Sequence, residues 1–113
     1  MSLIYKIAEK DLWHAAEDAG VFVGAPIDLE DGFIHYSTAD TVKETAAKHF
    51  KNKDDLLLIA IESDRLPEEH LKWEPSRGGA LFPHLYAPMQ MDAVVWVKPL
   101  PLVEGTHQFP EDV

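Results

Sequence analysis

The stretch Gly32-Phe33-Ile34-His35-Tyr36-Ser37 places an imidazole and a hydroxyl two residues apart. An imidazole can donate, accept or carry a proton near neutral pH. A hydroxyl beside it can bind a ribose, a phosphate or a carboxylate. In an extended segment Phe33, His35 and Ser37 share one face, and Ile34 and Tyr36 take the other. A helix is expected to start directly after Ser37, and the open backbone N–H groups of a helix start favour an anion. The alternative is structural: His35 bonds a neighbouring carbonyl, and Ser37 only caps the helix.

A second stretch runs from Trp73 through Glu74, Arg77, Gly78, Gly79 and His84 to Tyr86. Arg77 can fork onto a carboxylate or phosphate. The adjacent glycines let backbone approach a ligand closely. Trp73 or Tyr86 can stack on a flat ring. The competing reading is a hairpin-like loop whose aromatic residues complete the core and whose arginine answers an acidic surface. Lys6, between Tyr5 and Ile7, is either a ligand contact or a solvated strand lysine.

Other chemistries find less support. His35, His49, His84 and Glu74 are ligand types, but none shows metal-ligand spacing, and no metal is expected. His14, His70 and His107 are scattered and expected at the surface. A serine hydrolase lacks its Gly-x-Ser-x-Gly turn. The glycine-rich phosphate and dinucleotide fingerprints are also missing.

The elements that must position these residues are set by periodicity. Ser2–Ala8 reads as a strand, Leu3, Tyr5 and Ile7 alternating with Ile4 and Lys6. Asp11 caps a helix to Ala19, with Leu12, Ala15, Ala16 and Ala19 as its apolar face and Gly20 as its stop. Residues 23–32 read as a loop, and Phe33–Ser37 as a strand. Ser37 or Thr38 caps a second helix through Phe50, with Val42, Thr45, Ala46 and His49 on one side. A turn at Asn52–Asp55 precedes Leu56–Ile61, a run apolar enough for a strand buried on both faces. Asp64–Leu71 is a short helical turn or loop, Leu71–Glu74 a short strand and Pro75–Gly79 a turn. Leu81–Tyr86 and Ala93–Val97 are extended, and the tail from Pro99 is irregular. The expected class is α+β: a mixed, mostly antiparallel sheet with two helices in the N-terminal half.

The chain has 113 residues, suited to a single domain, and 46% hydrophobic residues, enough for a core. It has no cysteine, so no disulfide, thiolate metal site or cysteine nucleophile exists. No signal peptide or spanning segment is visible, so a cytoplasmic protein without membrane contact is expected. The net charge of −10 argues against a nucleic-acid partner, while a locally positive pocket could still take a small anionic ligand. Oligomeric state is not legible.

The Gly32-Phe33-Ile34-His35-x-Ser37 and Phe82-Pro83-His84-Leu85-Tyr86 segments resemble the signature of a mainly bacterial family, domain of unknown function 952. Ile4-Tyr5-Lys6-Ile7, Trp13 with Ala15-Ala16, Asp55-Leu56 and Ala93-Val94-Val95 fit it as well. That family in turn resembles the ADP-ribosyltransferase-like fold superfamily, whose RNA 2′-phosphotransferases have a similar Val-His-Leu-Ser stretch matched by His35 and Ser37. The resemblance implies a cleft for NAD or an ADP-ribose unit, lined by His35 and Ser37. Lys6 stands where that superfamily carries a first-strand His or Arg. Its late-strand Glu has no clear counterpart, and Glu74 is the available carboxylate. The resemblance thus implies a nucleotide-binding enzyme or degenerate transferase. His35 and Glu74 are its catalytic candidates, and Lys6, Ser37, Trp73, Arg77, His84 and Tyr86 its ligand-binding ones. A non-catalytic small-anion binding module and a protein-interaction domain remain the alternatives.

Overall fold

Leu56–Glu62 is the most apolar run of the chain, and the fold is arranged around it. In the computed structural model, which describes residues 2–76 and 79–113, this run is strand β4, and all of its residues are buried. The elements before it are β1 (Leu3–Glu9), α1 (Lys10–Ala19), β2 (Val21–Phe22), α2 (Pro26–Asp31), β3 (Ile34–His35) and α3 (Val42–His49). After it come β5 (Leu71–Ser76), β6 (Ala80–Leu85), β7 (Met89–Gln90), β8 (Val94–Leu100), β9 (Leu102–Val103) and β10 (Thr106–His107). The class is α+β, and every ladder between described strands is antiparallel.

Two three-stranded sheets carry the architecture, ordered β1-β4-β8 and β3-β6-β5. They meet where Tyr5 bridges Ser37, each backbone N–H reaching the other's carbonyl at 2.8 Å. Strand alternation divides β4 between two cores. Leu57, Ile59 and Ile61 pack with Ile4, Trp13, Phe22, Ile34 and Leu85 on one face. Leu56, Leu58 and Ala60 pack with Tyr5, Ile7, Val42 and Ala46 on the other. A sheet buried on both faces explains why β4 shows no polar alternation.

The first helix begins one residue before the expected Asp11 cap. The Lys10 N–H finds the Asp55 carbonyl at 2.9 Å, a partner from another element that replaces a side-chain cap. Its buried side chains are Trp13 and Ala16, whereas Ala15 and Ala19 are exposed. The core-facing stripe is therefore Leu12, Trp13 and Ala16, with Ala15 and Ala19 outside it. The helix after Ser37 also differs from expectation. Residues 38–41 form a turn, with Val42 N–H on the Thr38 carbonyl at 2.9 Å, and α3 starts at Val42. Within it Val42 and Ala46 are buried, while His49 is exposed.

Three further differences have local causes. The loop expected over residues 23–32 contains α2, which starts at Pro26, a residue pre-set for the first helical position. The turn expected at Pro75–Gly79 gives Pro75 and Ser76 to β5, and its remaining part includes residues 77 and 78, outside the described residues. The tail forms the β9–β10 hairpin, which buries His107 with its Nε2 2.8 Å from the Lys53 carbonyl, so this histidine is not a surface residue. Among the described residues, no helix is long and apolar enough to cross a membrane.

Candidate functional site

Asp28 organises the site, although no sequence motif marks it. It lies at the third position of α2, its Oδ2 accepting the Ala25 N–H at 2.7 Å and tying the start of the helix. Its Oδ1 accepts the His35 backbone N–H at 3.1 Å and faces the His35 Nδ1 at 2.6 Å. The Lys6 ammonium lies 3.0 Å from Oδ1 and 2.9 Å from Oδ2. Asp28 is 1% exposed and Lys6 6%, so this is a buried ion pair whose oxygens are filled by donors. Burial alone would raise the Asp28 carboxyl. The His35 hydrogen bond, the Lys6 charge and the Ala25 N–H outweigh burial and hold the pKa at about 2. Burial also draws the Lys6 ammonium below its usual range, with Asp28 opposing.

Lys6 thus lies neither in solvent nor open to a ligand. Its third contact is the His35 carbonyl at 2.9 Å. It holds the carboxylate that in turn holds His35. The His35 Nε2 faces Asp31 Oδ2 at 3.0 Å. Both ring nitrogens therefore meet carboxylate oxygens, and both contacts are hydrogen bonds only when the ring is an imidazolium.

The second pair is built on β6 and β5. His84 is the direct cross-strand neighbour of His35, and the two rings are 5.4 Å apart. The His84 Nδ1 is 2.8 Å from Glu74 Oε1, and the Tyr86 hydroxyl donates to the same oxygen at 2.6 Å. The hydrogen bonds from Tyr86 and then His84 lower the Glu74 carboxyl, while Glu74 raises the Tyr86 phenol. No described residue hydrogen-bonds the His84 Nε2. A carboxylate on Nδ1 fixes ring orientation and tautomer and presents Nε2 for proton transfer or hydrogen bonding.

Phe33 joins the two pairs. Its ring stacks on His84 at 4.2 Å and lies 4.5 Å from His35 and 5.1 Å from Tyr86. Beside it lies a cavity of about 330 Å³, bounded by Val23, Asp28, Leu29, Phe33, Tyr86 and Pro88 among others. That volume is at the lower end for small-molecule sites. Gly24 fits the backbone here: its φ is +119°, and a Cβ would lie 2.8 Å from the Asp28 Cβ.

Of the residues singled out from sequence, His35, Glu74, His84 and Tyr86 converge. Lys6 joins them through Asp28. Ser37 does not: its backbone is paired with Tyr5, its hydroxyl is 3.1 Å from the Thr45 hydroxyl, and it is 5% exposed. Because α3 starts at Val42, no run of open helical N–H groups follows Ser37. Trp73 points to the opposite face of β5, paired with Pro83, and is exposed. Arg77 lies outside the described residues. Asp28 and Asp31 are site residues that sequence reasoning did not name, and Phe33 was placed on the His35 face without a role. The available signals were Pro26 followed two residues later by an acid, and a lysine on the strand face shared by Ile4 and Ala8. Among the described residues, no group of three or more His, Asp or Glu side chains is set to hold a metal ion.

A family model described as "Protein of unknown function (DUF952)" matches residues 7–97. The crystal structure of Protein CC0527 from Caulobacter crescentus is 47% identical, has a TM-score of 0.90, and matches over 95% of this chain and 94% of that one. The solution NMR structure of CC0527 gives a TM-score of 0.82 at 47% identity, over 95% of this chain and 91% of that one. No functionally curated protein matches the chain.

Proposed function

The chain belongs to the DUF952 family, and from its paired histidines we propose that it binds an NAD- or ADP-ribose-type nucleotide at the face formed by His35, His84, Glu74 and Tyr86. The observation that carries this reading is the convergence of two carboxylate-anchored imidazoles on the Phe33 ring, which also lines a cavity. Such a face offers oriented donors for ribose hydroxyls and flat walls for a base or ring. The reading extends to an ADP-ribosyltransferase-like fold, on the resemblance of the His35-x-Ser37 strand to that superfamily. The chain is read as one domain acting in the cytoplasm.

Two roles are assigned if the ligand is turned over. The N-glycosidic bond breaks with its electron pair leaving on the ring nitrogen, and the Glu74 carboxylate stabilises the cationic sugar. Water adds at the anomeric carbon and releases its proton to solvent. His35, with both ring nitrogens held by Asp28 and Asp31, positions the face, and the open Nε2 of His84 meets the ribose. Lys6 acts through Asp28. If nothing is turned over, the same face is a binding module.

Calorimetry of the folded protein with NAD, ADP-ribose and nicotinamide tests the reading. Saturable binding is expected, weakened in Tyr86→Leu. No heat at millimolar ligand ends the proposal. Mass spectrometry of NAD after long incubation separates enzyme from binder: turnover abolished in His35→Ala establishes the enzyme, and intact ligand establishes the module. The protein-interaction alternative needs Trp73 and Phe82 both exposed. Trp73 is 46% exposed, but Phe82 is 6% exposed, so only half of that surface exists.

A further inference from the structure

The Tyr86 hydroxyl donates to the Glu74 carboxylate at 2.6 Å. A phenol so bonded carries more electron density in its ring, which strengthens its attraction for a cation. Phe33 stands 5.1 Å away at an interplanar angle of 40°, so the two rings form an open aromatic corner. Both line the cavity, and Tyr86 is 39% exposed. Aromatic corners backed by carboxylate are a recurrent receptor for organic ammonium groups.

The charges around this corner agree. Asp28 bounds the cavity, Asp31 adjoins it at the end of α2, and Glu74 lies behind Tyr86. On the opposing side, the Lys6 ammonium is buried and held by Asp28. Lys72 lies across from His84 on β5 and faces Glu74. The positive charge of an imidazolium at His35 is enclosed by Asp28 and Asp31. Among the described residues that bound the cavity there is no Lys, Arg or His, and the whole chain carries −10. The remaining walls, Val23, Leu29 and Pro88, are apolar and offer nothing to a phosphate.

We propose that the cavity at Phe33 and Tyr86 selects a small organic cation, with an ammonium or charged ring against the two aromatic faces, over an anion of the same shape. This rests on the reading of that cavity as the ligand site, and it assigns the ligand's charge. Any phosphate groups would lie outside the cavity, towards solvent.

The test titrates the full chain with benzyltrimethylammonium, benzyl alcohol and phenylacetate, read by calorimetry and by chemical-shift changes at residues 28–36 and 84–88. Benzyltrimethylammonium is expected to bind about tenfold more tightly than the other two, the size of one partly desolvated cation–π contact. Its affinity should fall by a similar factor in Tyr86→Leu and in Glu74→Gln, with Trp73→Ala unchanged; circular dichroism confirms that each variant is folded. Phenylacetate binding as tightly as the cation overturns the proposal and leaves the ligand site standing. No binding of the cation at millimolar concentration, or full binding in Tyr86→Leu, also overturns it. Cation binding without any binding of NAD or ADP-ribose supports this inference and removes the nucleotide reading alone.

Discussion

Replacing Asp28 with asparagine changes one oxygen to an amide and keeps the volume. Every group that meets the Asp28 carboxylate is a donor: the Ala25 and His35 N–H groups, the His35 Nδ1 and the Lys6 ammonium. Asparagine offers one acceptor oxygen and two further donors. Whichever way the amide turns, one side of the site sets donor against donor. The backbone N–H orphaned by this costs about 1–3 kcal/mol. The Lys6 ammonium, 6% exposed, also loses its counter-charge, and breaking a buried pair from one side costs about 3–5 kcal/mol. The two costs overlap, because Lys6 can lose its proton instead. An overall loss of about 3–5 kcal/mol is expected, against a total stability of about 5–15 kcal/mol for a domain. Melting should fall by roughly 10–20 °C.

Urea unfolding followed by near-UV circular dichroism measures this loss, and its pH dependence carries the sign. The Asp28 pKa is depressed in the folded chain, from 3.8 to about 2. Its contribution is therefore fully present above about pH 4 and is lost as pH falls through about 2. It amounts to about 2 kcal/mol. Asp28→Asn should lack that part of the acid limb. In the double variant Lys6→Met with Asp28→Asn, the losses should sum to at least about 1 kcal/mol less than the single ones, because the unpaired ammonium is gone. If Asp28→Asn lies within about 1 kcal/mol of the parent at neutral pH, the buried pair does not organise the site and the reasoning fails.

Other expectations rest on single contacts. Gly24→Ala should destabilise by about 1–3 kcal/mol, since φ is +119° and the new Cβ meets Asp28 at 2.8 Å; thermal denaturation reads it. Glu74→Gln should return the Tyr86 phenol to a lower titration range, seen as one tyrosine ionising earlier at alkaline pH, because the carboxylate that raises it is gone. Tyr36→Phe should cost less than about 1 kcal/mol in urea unfolding, because its buried hydroxyl gives up only a weak bond to the Met89 sulfur at 3.1 Å.

The strands and most of the site face are legible in the sequence because they depend on local pattern. Leu56–Ile61 reads as a buried strand and is one, and Ile34 and Tyr36 are buried as their alternation with Phe33 and His35 expects, whereas Ser37 is buried as well and leaves that face. The antiparallel β3–β6 pairing then sets His35 opposite His84, which no spacing in the sequence reveals. Helix α2 is hidden because it spans only Pro26–Asp31, too short to show a helical period. Ser37 misleads for a related reason: a cap hydroxyl and a bridge residue have the same local sequence, and only pairing with Tyr5 separates them.

Asp28 is the informative failure. It is one of 20 acidic residues, and its type carries no signal in a chain this acidic. Its partner Lys6 is visible, and the decisive clue lies there. Lys6 shares a strand face with Ile4 and Ala8, both buried in the core. A lysine on such a face must bring a carboxylate with it or lose its charge. The segment between two glycines at positive φ, Gly24 and Gly32, carries three acids, Asp28, Glu30 and Asp31, and of these Asp28 alone is buried. The buried lysine therefore implies the buried aspartate. The aspartate implies the fixed imidazole of His35, and so the site begins at the residue that looked least chemical on the strand.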